Sequence, residues 1–90
     1  MIVEKLLVLG YNVRMSKDFY ERLQSIKLNI SYYRKKLGFT QENLAEKLNI
    51  SRTHLSNMEA LNMNTGITLE MLFEIADVLK LDVTKLLEIK

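Results

Sequence analysis

Apolar residues recur at helical spacing between residues 16 and 38. They follow one another at steps of three and four, which is the period of one face of an α-helix. The positions are Phe19, Leu23, Ile26, Ile30, Tyr33 and Leu37. Ser16 belongs to the residue types that cap helix N-termini, and Gly38 to those that end helices. The pattern predicts one long helix on which this stripe is buried.

A second helical pattern begins directly after Gly38. Thr40 is a capping residue type, and the first turn behind it starts with Gln41. The inner face of this helix consists of Leu44, Ala45 and Leu48. Asn49 tolerates the left-handed conformation that ends a helix, so we expect the helix to stop there.

A third pattern restarts out of phase with the second. We expect Ile50 to point into the core and Ser51 to cap the helix that follows. Leu55 and Met58 are the only apolar residues of that helix before Ala60. A helix with so narrow a buried stripe exposes most of its surface. Its outward side carries polar residues, namely Arg52, Thr53, Ser56 and Asn57.

The remaining chain predicts two further helices. Thr68 precedes a helix that is apolar enough to lie near the centre of the core. Its apolar residues are Leu69, Leu72, Phe73, Ile75, Ala76 and Leu79. Asp82 or Thr84 opens a final short helix that carries Leu86, Leu87 and Ile89. Residues 16–90 are therefore expected to form one all-α domain.

Residues 1–15 are expected to form an N-terminal extension to this domain. Ile2, Leu6, Leu9 and Val13 fit a helix, whereas the Val and Leu content around Gly10 fits a strand equally well. Either form would allow two copies of the chain to associate through this segment, by strand pairing or by helix packing.

Composition excludes several kinds of site. The chain has no proline and only three glycines, which favours helices over a turn-rich sheet fold. It has no cysteine and one histidine, His54, so we expect neither a disulfide nor a metal centre. The chain has neither a cysteine nucleophile nor a glycine-rich phosphate loop, so we expect no enzyme. No cofactor is expected either. Because no membrane span or secretory signal is visible, we expect a cytoplasmic protein without a membrane partner.

Charge is distributed unevenly around a small net value of +2. Residues 1–40 hold eight Lys or Arg against three Asp or Glu, whereas residues 60–90 hold three against five. An uneven charge distribution of this kind can orient a protein on a polyanion. An ordinary charged surface exposed to solvent gives the same distribution. Charge alone therefore does not decide the partner.

The second and third predicted helices have the spacing of a helix-turn-helix unit. Ala45 is small where the two helices cross, Asn49 accepts the turn, and Ile50 and Leu55 anchor the later helix. Such units offer one helix to the major groove of DNA. Arg bonds guanine, Asn bonds adenine, and the Thr methyl contacts the thymine methyl. The predicted partner is double-stranded DNA.

This stretch resembles the phage Cro/repressor-like (XRE) helix-turn-helix family. The matching residues occur in order and without gaps: Thr40, Gln41, Leu44, Ala45, Leu48, Ile50, Ser51, Leu55, Ser56 and Glu59. The resemblance extends from about Ile26 to Ile89 and implies the five-helix, lambda-repressor-like DNA-binding fold of that family. It also implies a sequence-specific transcriptional regulator, a repressor that binds a two-fold site as a homodimer.

The resemblance implies a role for each matched residue. Gln41 corresponds to the glutamine that holds a DNA phosphate. Arg52, Thr53 and Asn57 occupy positions that meet base edges, and Ser56 lies nearer the sugar-phosphate chain.

Other positions define the structural frame or depart from the family. Arg34 and Glu59 match an ion pair that ties the first helix to the end of the recognition helix. Lys35 and Lys36 fit either a solvated helix end or a contact with phosphates. In the loop of residues 60–67, where the family has glycine, basic residues and proline, this chain has Leu61 and Met63. This apolar loop suggests a packing contact.

A second function fits the same fold. The apolar loop and the unusual residues 1–25 are compatible with a protein-interaction module, such as an antitoxin-like or regulator-sequestering protein. A stoichiometric protein partner that excludes DNA would indicate this alternative.

Overall fold

The computed structural model describes residues 17–89, which form five α-helices. These are α1 (Lys17–Lys36), α2 (Gln41–Leu48), α3 (Arg52–Glu59), α4 (Leu69–Leu79) and α5 (Thr84–Leu87). The predicted all-α, five-helix fold is confirmed over this range. The predicted cap Ser16 and the predicted extension at residues 1–15 lie outside the described residues. None of the helices within 17–89 is long and apolar enough to cross a membrane.

The core lies where the four shorter helices meet α1 and one another. α1 contacts α3, α4 and α5, while α2 packs against α3 and α4. All five helices contribute to the buried apolar cluster, which consists of Ile30, Leu44, Ala45, Leu48, Leu55, Met58, Leu72, Ile75, Ala76, Leu79 and Leu86. The helix-turn-helix unit, α2 and α3, therefore packs directly on the core.

Local capping sets the starts of the three middle helices. The Thr40 hydroxyl accepts from the Asn43 N–H at 3.0 Å, and the Asn43 side chain accepts from the Thr40 N–H at 2.8 Å. Ser51 accepts from the N–H of His54 at 2.9 Å. Thr68 caps α4 in the same way. Each cap satisfies a backbone donor that the first helical turn leaves free, as the sequence predicted.

Left-handed residues end α2 and α4. Asn49 has φ 59°, and its N–H donates to carbonyls of the preceding turn. Lys80 closes α4 with φ 57° and the same pattern of bonds. Gly38, beyond the end of α1, has φ 85°. The predicted helix ends at Asn49 and Gly38 are confirmed, while Lys80 shows that a residue outside the usual Gly and Asn also takes this conformation.

The predicted buried stripe of α1 is wrong at both ends. Phe19 is 54% exposed and Leu37 is 44% exposed. Leu23 and Ile30 are buried as expected, whereas Ile26 and Tyr33 are half-buried and pack against the core. The helix is longer than the core beneath it, so apolar residues at its ends reach beyond the packed region.

The expectations for α4 and α5 need a similar correction. Leu72, Ile75, Ala76 and Leu79 are buried, but Leu69 is 64% exposed and Phe73 is 47% exposed. Positions 69 and 73 are one turn apart on the outward face, while the other side of α4 supplies four residues to the core, as expected of a central helix. In the last helix, Leu86 is buried while Leu87 and Ile89 are exposed. The apolar pattern overstated burial wherever no further helix covers the outer face.

Candidate nucleic-acid interface

One narrow apolar side attaches α3 to the protein. Leu55 and Met58 are fully buried in the core, and Ile50 packs against it from the turn. The turn itself is short, because α2 ends at Leu48 and α3 begins at Arg52. Most of the remaining α3 surface is open to solvent or only partly covered.

The structure places the four predicted DNA-contacting residues of α3 outside the core. Arg52 and Thr53 in the first turn are exposed, while Ser56 and Asn57 are half-buried. Arg can bridge guanine O6 and N7, and Asn can pair with adenine N6 and N7. The side chains have the chemistry for base contact, and their individual roles remain predictions.

Gln41 lies beside this helix and contacts it. Its side-chain Nε2 donates to Oε1 of Glu59 at 3.1 Å, which connects the start of α2 to the end of α3. A primary amide carries two N–H groups, so this bond uses one and leaves the other. Sequence reasoning predicted a phosphate contact for Gln41 but missed the bond to Glu59.

Glu59 is also the partner of Arg34, as the sequence predicted. Arg34 Nε donates to Glu59 Oε2 at 2.7 Å, and Arg34 Nη2 donates to Glu59 Oε1 at 3.0 Å. Arg34 Nη1 donates to the carbonyl of Phe39 at 2.9 Å. Both charged side chains are almost completely buried. This bidentate pair joins α1 to the last residue of α3.

An open cleft of about 580 Å³ adjoins this network at the start of α2. Its lining consists of Arg34, Lys35, Phe39, Thr40, Gln41, Glu42 and Arg52. Three of these side chains are cations and one is an anion. The Asn43 N–H is capped and the Leu44 N–H bonds the Thr40 carbonyl, so the N–H groups of Gln41 and Glu42 are the open donors of this turn. Cations and helix N-terminal N–H groups together favour a bound anion.

Lys27 is a buried residue that sequence reasoning missed. Its side chain is fully buried, and its Nζ donates to the carbonyls of Asn57 and Met58, each at 3.1 Å. Burial lowers the pKa of Lys27 below its ordinary value of 10.5, because a desolvated ammonium is less stable than a neutral amine. The available signal was position, since Lys27 stands at helical spacing between the buried Leu23 and Ile30.

The comparison with known families agrees with this geometry. The helix-turn-helix family model matches residues 30–86 of the 90-residue chain. The chain belongs to the Cro/repressor-like helix-turn-helix family. No curated protein matches the chain, and no solved structure does. As a member of this family, the protein is a DNA-binding helix-turn-helix regulator in general terms.

Proposed function

We propose that this helix-turn-helix protein is a cytoplasmic, sequence-specific transcriptional repressor that inserts α3 into the major groove of DNA. The observation that carries the proposal is that α3 has one buried apolar side and one exposed polar side. Leu55 and Met58 anchor it in the core, while Arg52 and Thr53 remain exposed in its first turn. A helix anchored in this way presents polar side chains on a rigid backbone, as major-groove recognition requires.

The proposed base contacts come from three residues of α3. Arg52 would bond guanine, Asn57 would bond adenine, and the Thr53 methyl would contact a thymine methyl. Each good bidentate contact contributes about 1–3 kcal/mol of discrimination against the wrong base. Ser56, half-buried between these positions, would meet the sugar-phosphate chain.

Phosphate contacts are proposed at the cleft beside α2. Lys35 supplies positive charge there, and the Gln41 amide has one N–H beyond the one bonded to Glu59. Such contacts position a protein on the duplex without reading its sequence. Glu42 also lines the cleft, so we expect the phosphate to lie nearer to Lys35.

We further propose that a homodimer binds a two-fold symmetric site. α3 has only eight residues and reads a short stretch of bases on its own. Dimers of helix-turn-helix proteins double the contacted sequence, with half-sites separated by about one helical turn of DNA. Residues 1–15 are proposed to assist this association, as the N-terminal extension of a domain that spans residues 16–90.

Selection from a pool of random duplexes tests the proposal directly. The protein-bound fraction is isolated, amplified and sequenced over several rounds, and the affinity of the enriched duplex is then measured by gel shift. We expect a palindromic motif that binds at least about a thousandfold more tightly than random DNA. Recovery of only salt-sensitive binding without sequence preference would contradict the proposal.

The loop between α3 and α4 supports the alternative, a protein-interaction module of the same fold. Leu61 and Met63 are exposed, so the described residues 17–89 leave much of their apolar surface uncovered. Under this alternative, a stoichiometric protein partner binds the chain and excludes duplex DNA. Leu61→Asp would then abolish partner binding, whereas it would leave the selection of a DNA motif unchanged if the repressor proposal holds.

A further inference from the structure

The C-terminal end of α3 differs from the ends of α2 and α4. An α-helix leaves its last four carbonyl groups without partners inside the helix. At α2 and α4, the N–H groups of Asn49 and Lys80 turn back and donate to carbonyls of their own helix. The residue after α3, Ala60, has extended backbone angles, with φ −77° and ψ 126°. α3 therefore lacks the backbone turn that closes the other two helices.

A side chain from α1 binds the carbonyl groups at this end of α3 instead. The Lys27 ammonium donates to the carbonyls of Asn57 and Met58, which belong to the last turn of α3. Within residues 17–89, no N–H of a turn or loop donates to either carbonyl. The positive charge also complements the negative end of the helix dipole. Lys27 thus satisfies two backbone acceptors that no turn or loop N–H within residues 17–89 binds.

Two cations of α1 hold the same end of α3. Lys27 and Arg34 are seven positions apart, which places them on one face of α1, two turns from each other. Arg34 binds the carboxylate of Glu59, whereas Lys27 binds the backbone of Asn57 and Met58. One of the two carbonyls that Lys27 binds therefore belongs to Asn57, a residue proposed to meet a base edge.

We propose that Lys27 is a positioning residue for base recognition, because its two hydrogen bonds set the backbone from which the Asn57 side chain reaches the DNA. This inference rests on the proposed function of α3. Lys27 has no exposed surface and therefore contacts no phosphate. Hydrogen bonds weaken steeply with misalignment. Release of the Asn57 backbone therefore weakens the bond between the Asn57 side chain and the base, and sequence discrimination falls. Non-specific binding depends on exposed cations and is retained.

The test compares Lys27→Met with Lys17→Met. Methionine has a side chain of similar length without a donor, and Lys17 is an exposed lysine on the same helix that controls for the lost charge. Affinities for the selected duplex and for random duplex are measured at a temperature where circular dichroism shows both variants folded. We expect Lys27→Met to lower the ratio of the two affinities about tenfold, with an unchanged salt dependence. Lys17→Met is expected to keep the wild-type ratio.

A folded Lys27→Met protein with an unchanged ratio would overturn the proposal, since the residue would then act on stability alone. A double-mutant cycle with Asn57→Ala tests whether Lys27 acts through Asn57. We expect Lys27→Met to cause little further loss of the ratio when Asn57 is already truncated, because the two changes remove the same contact. Fully additive losses would also overturn the proposal.

If Lys27→Met does not fold, the wild-type protein decides the question by NMR. The Nζ protons of Lys27 are expected to exchange slowly in the free protein and in its complex with the selected duplex. Rapid exchange in the complex would overturn the proposal, because the carbonyls would then be released while α3 reads DNA. Failure of the wild-type protein to select any duplex is a separate result, which rejects the proposed function and with it this inference.

Discussion

α3 begins with exposed residues, whereas its last two residues are buried against α1. Arg52 and Thr53 extend from the exposed end. At the other end, Met58 and Glu59 are buried, and two cations from α1 bind Glu59 and the neighbouring carbonyls. This difference separates two kinds of change. Changes to buried residues should chiefly alter stability, and changes to exposed residues such as Arg52 should chiefly alter DNA binding. Lys27→Met is the proposed exception, because it releases the backbone of Asn57.

The largest expected effect comes from Arg34→Met at the buried end. The change leaves the Glu59 carboxylate in the interior with Gln41 as its remaining side-chain donor, which costs about 3–5 kcal/mol of unfolding free energy. Arg22→Met is the matched control, because Arg22 pairs with Asp18 in an exposed ion pair worth about 0.2–1 kcal/mol. Chemical denaturation measures both values. Equal losses would show that the buried end of α3 does not depend on this pair.

A somewhat smaller loss is expected for Leu55→Ala, which removes a side chain from the core beneath α3. Leu55 is fully buried, so the cavity and the lost burial should cost about 3 kcal/mol. Leu69→Ala on the exposed face of α4 is the control, with an expected change within about 0.5 kcal/mol. Thermal unfolding of both variants tests the difference, and a small effect at Leu55 would argue against anchoring by the core.

Arg52→Ala should leave stability nearly unchanged and weaken DNA binding. Arg52 is exposed, so we expect a stability change within about 0.5 kcal/mol. Affinity for the selected duplex should fall by about 1–3 kcal/mol, with a smaller loss on random DNA. Lys35→Ala is the comparison, since Lys35 lines the cleft proposed for a phosphate and its loss would weaken binding to both DNAs alike. Equal losses from Arg52→Ala on both duplexes would contradict a role in base reading.

The smallest expected effect is a pH dependence of the unfolding free energy that is caused by Lys27. Burial lowers its pKa in the folded protein, so between that pKa and 10.5 the unfolded chain binds more protons than the folded chain. Unfolding free energy should therefore rise with pH in this window for the wild type, relative to Lys27→Met. Urea denaturation from pH 7 to pH 11 measures the difference between the two proteins. A difference that stays constant with pH would show that Lys27 has an ordinary pKa.

Local features of the fold were predictable because they depend on neighbouring residues. The caps Thr40, Ser51 and Thr68 bond N–H groups three positions ahead, and Asn49 ends α2 through its own conformation. The outward residues of α3 were predictable for a related reason. Leu55 and Met58 are its only apolar residues, so the polar positions Arg52, Thr53, Ser56 and Asn57 were expected outside the core.

Burial on α1 was predictable from its own pattern only in part, at Leu23 and Ile30. Lys27 and Arg34 occupy the buried face because their partners, Asn57, Met58 and Glu59, approach from more than twenty positions along the chain. Phe19 and Leu37 are exposed because the packed region ends before the helix does. The bond between Gln41 and Glu59 was missed for the same reason, since it also joins distant residues.

The amino-acid sequence by itself determined five helices, the turn between α2 and α3, and the polar outer side of α3, because capping, periodicity and helix ends act over three or four residues. The tertiary structure alone decided that Lys27 is buried and that it binds the carbonyls of Asn57 and Met58. Those contacts depend on how separate helices pack, and packing brings together groups whose spacing along the chain has no regular period.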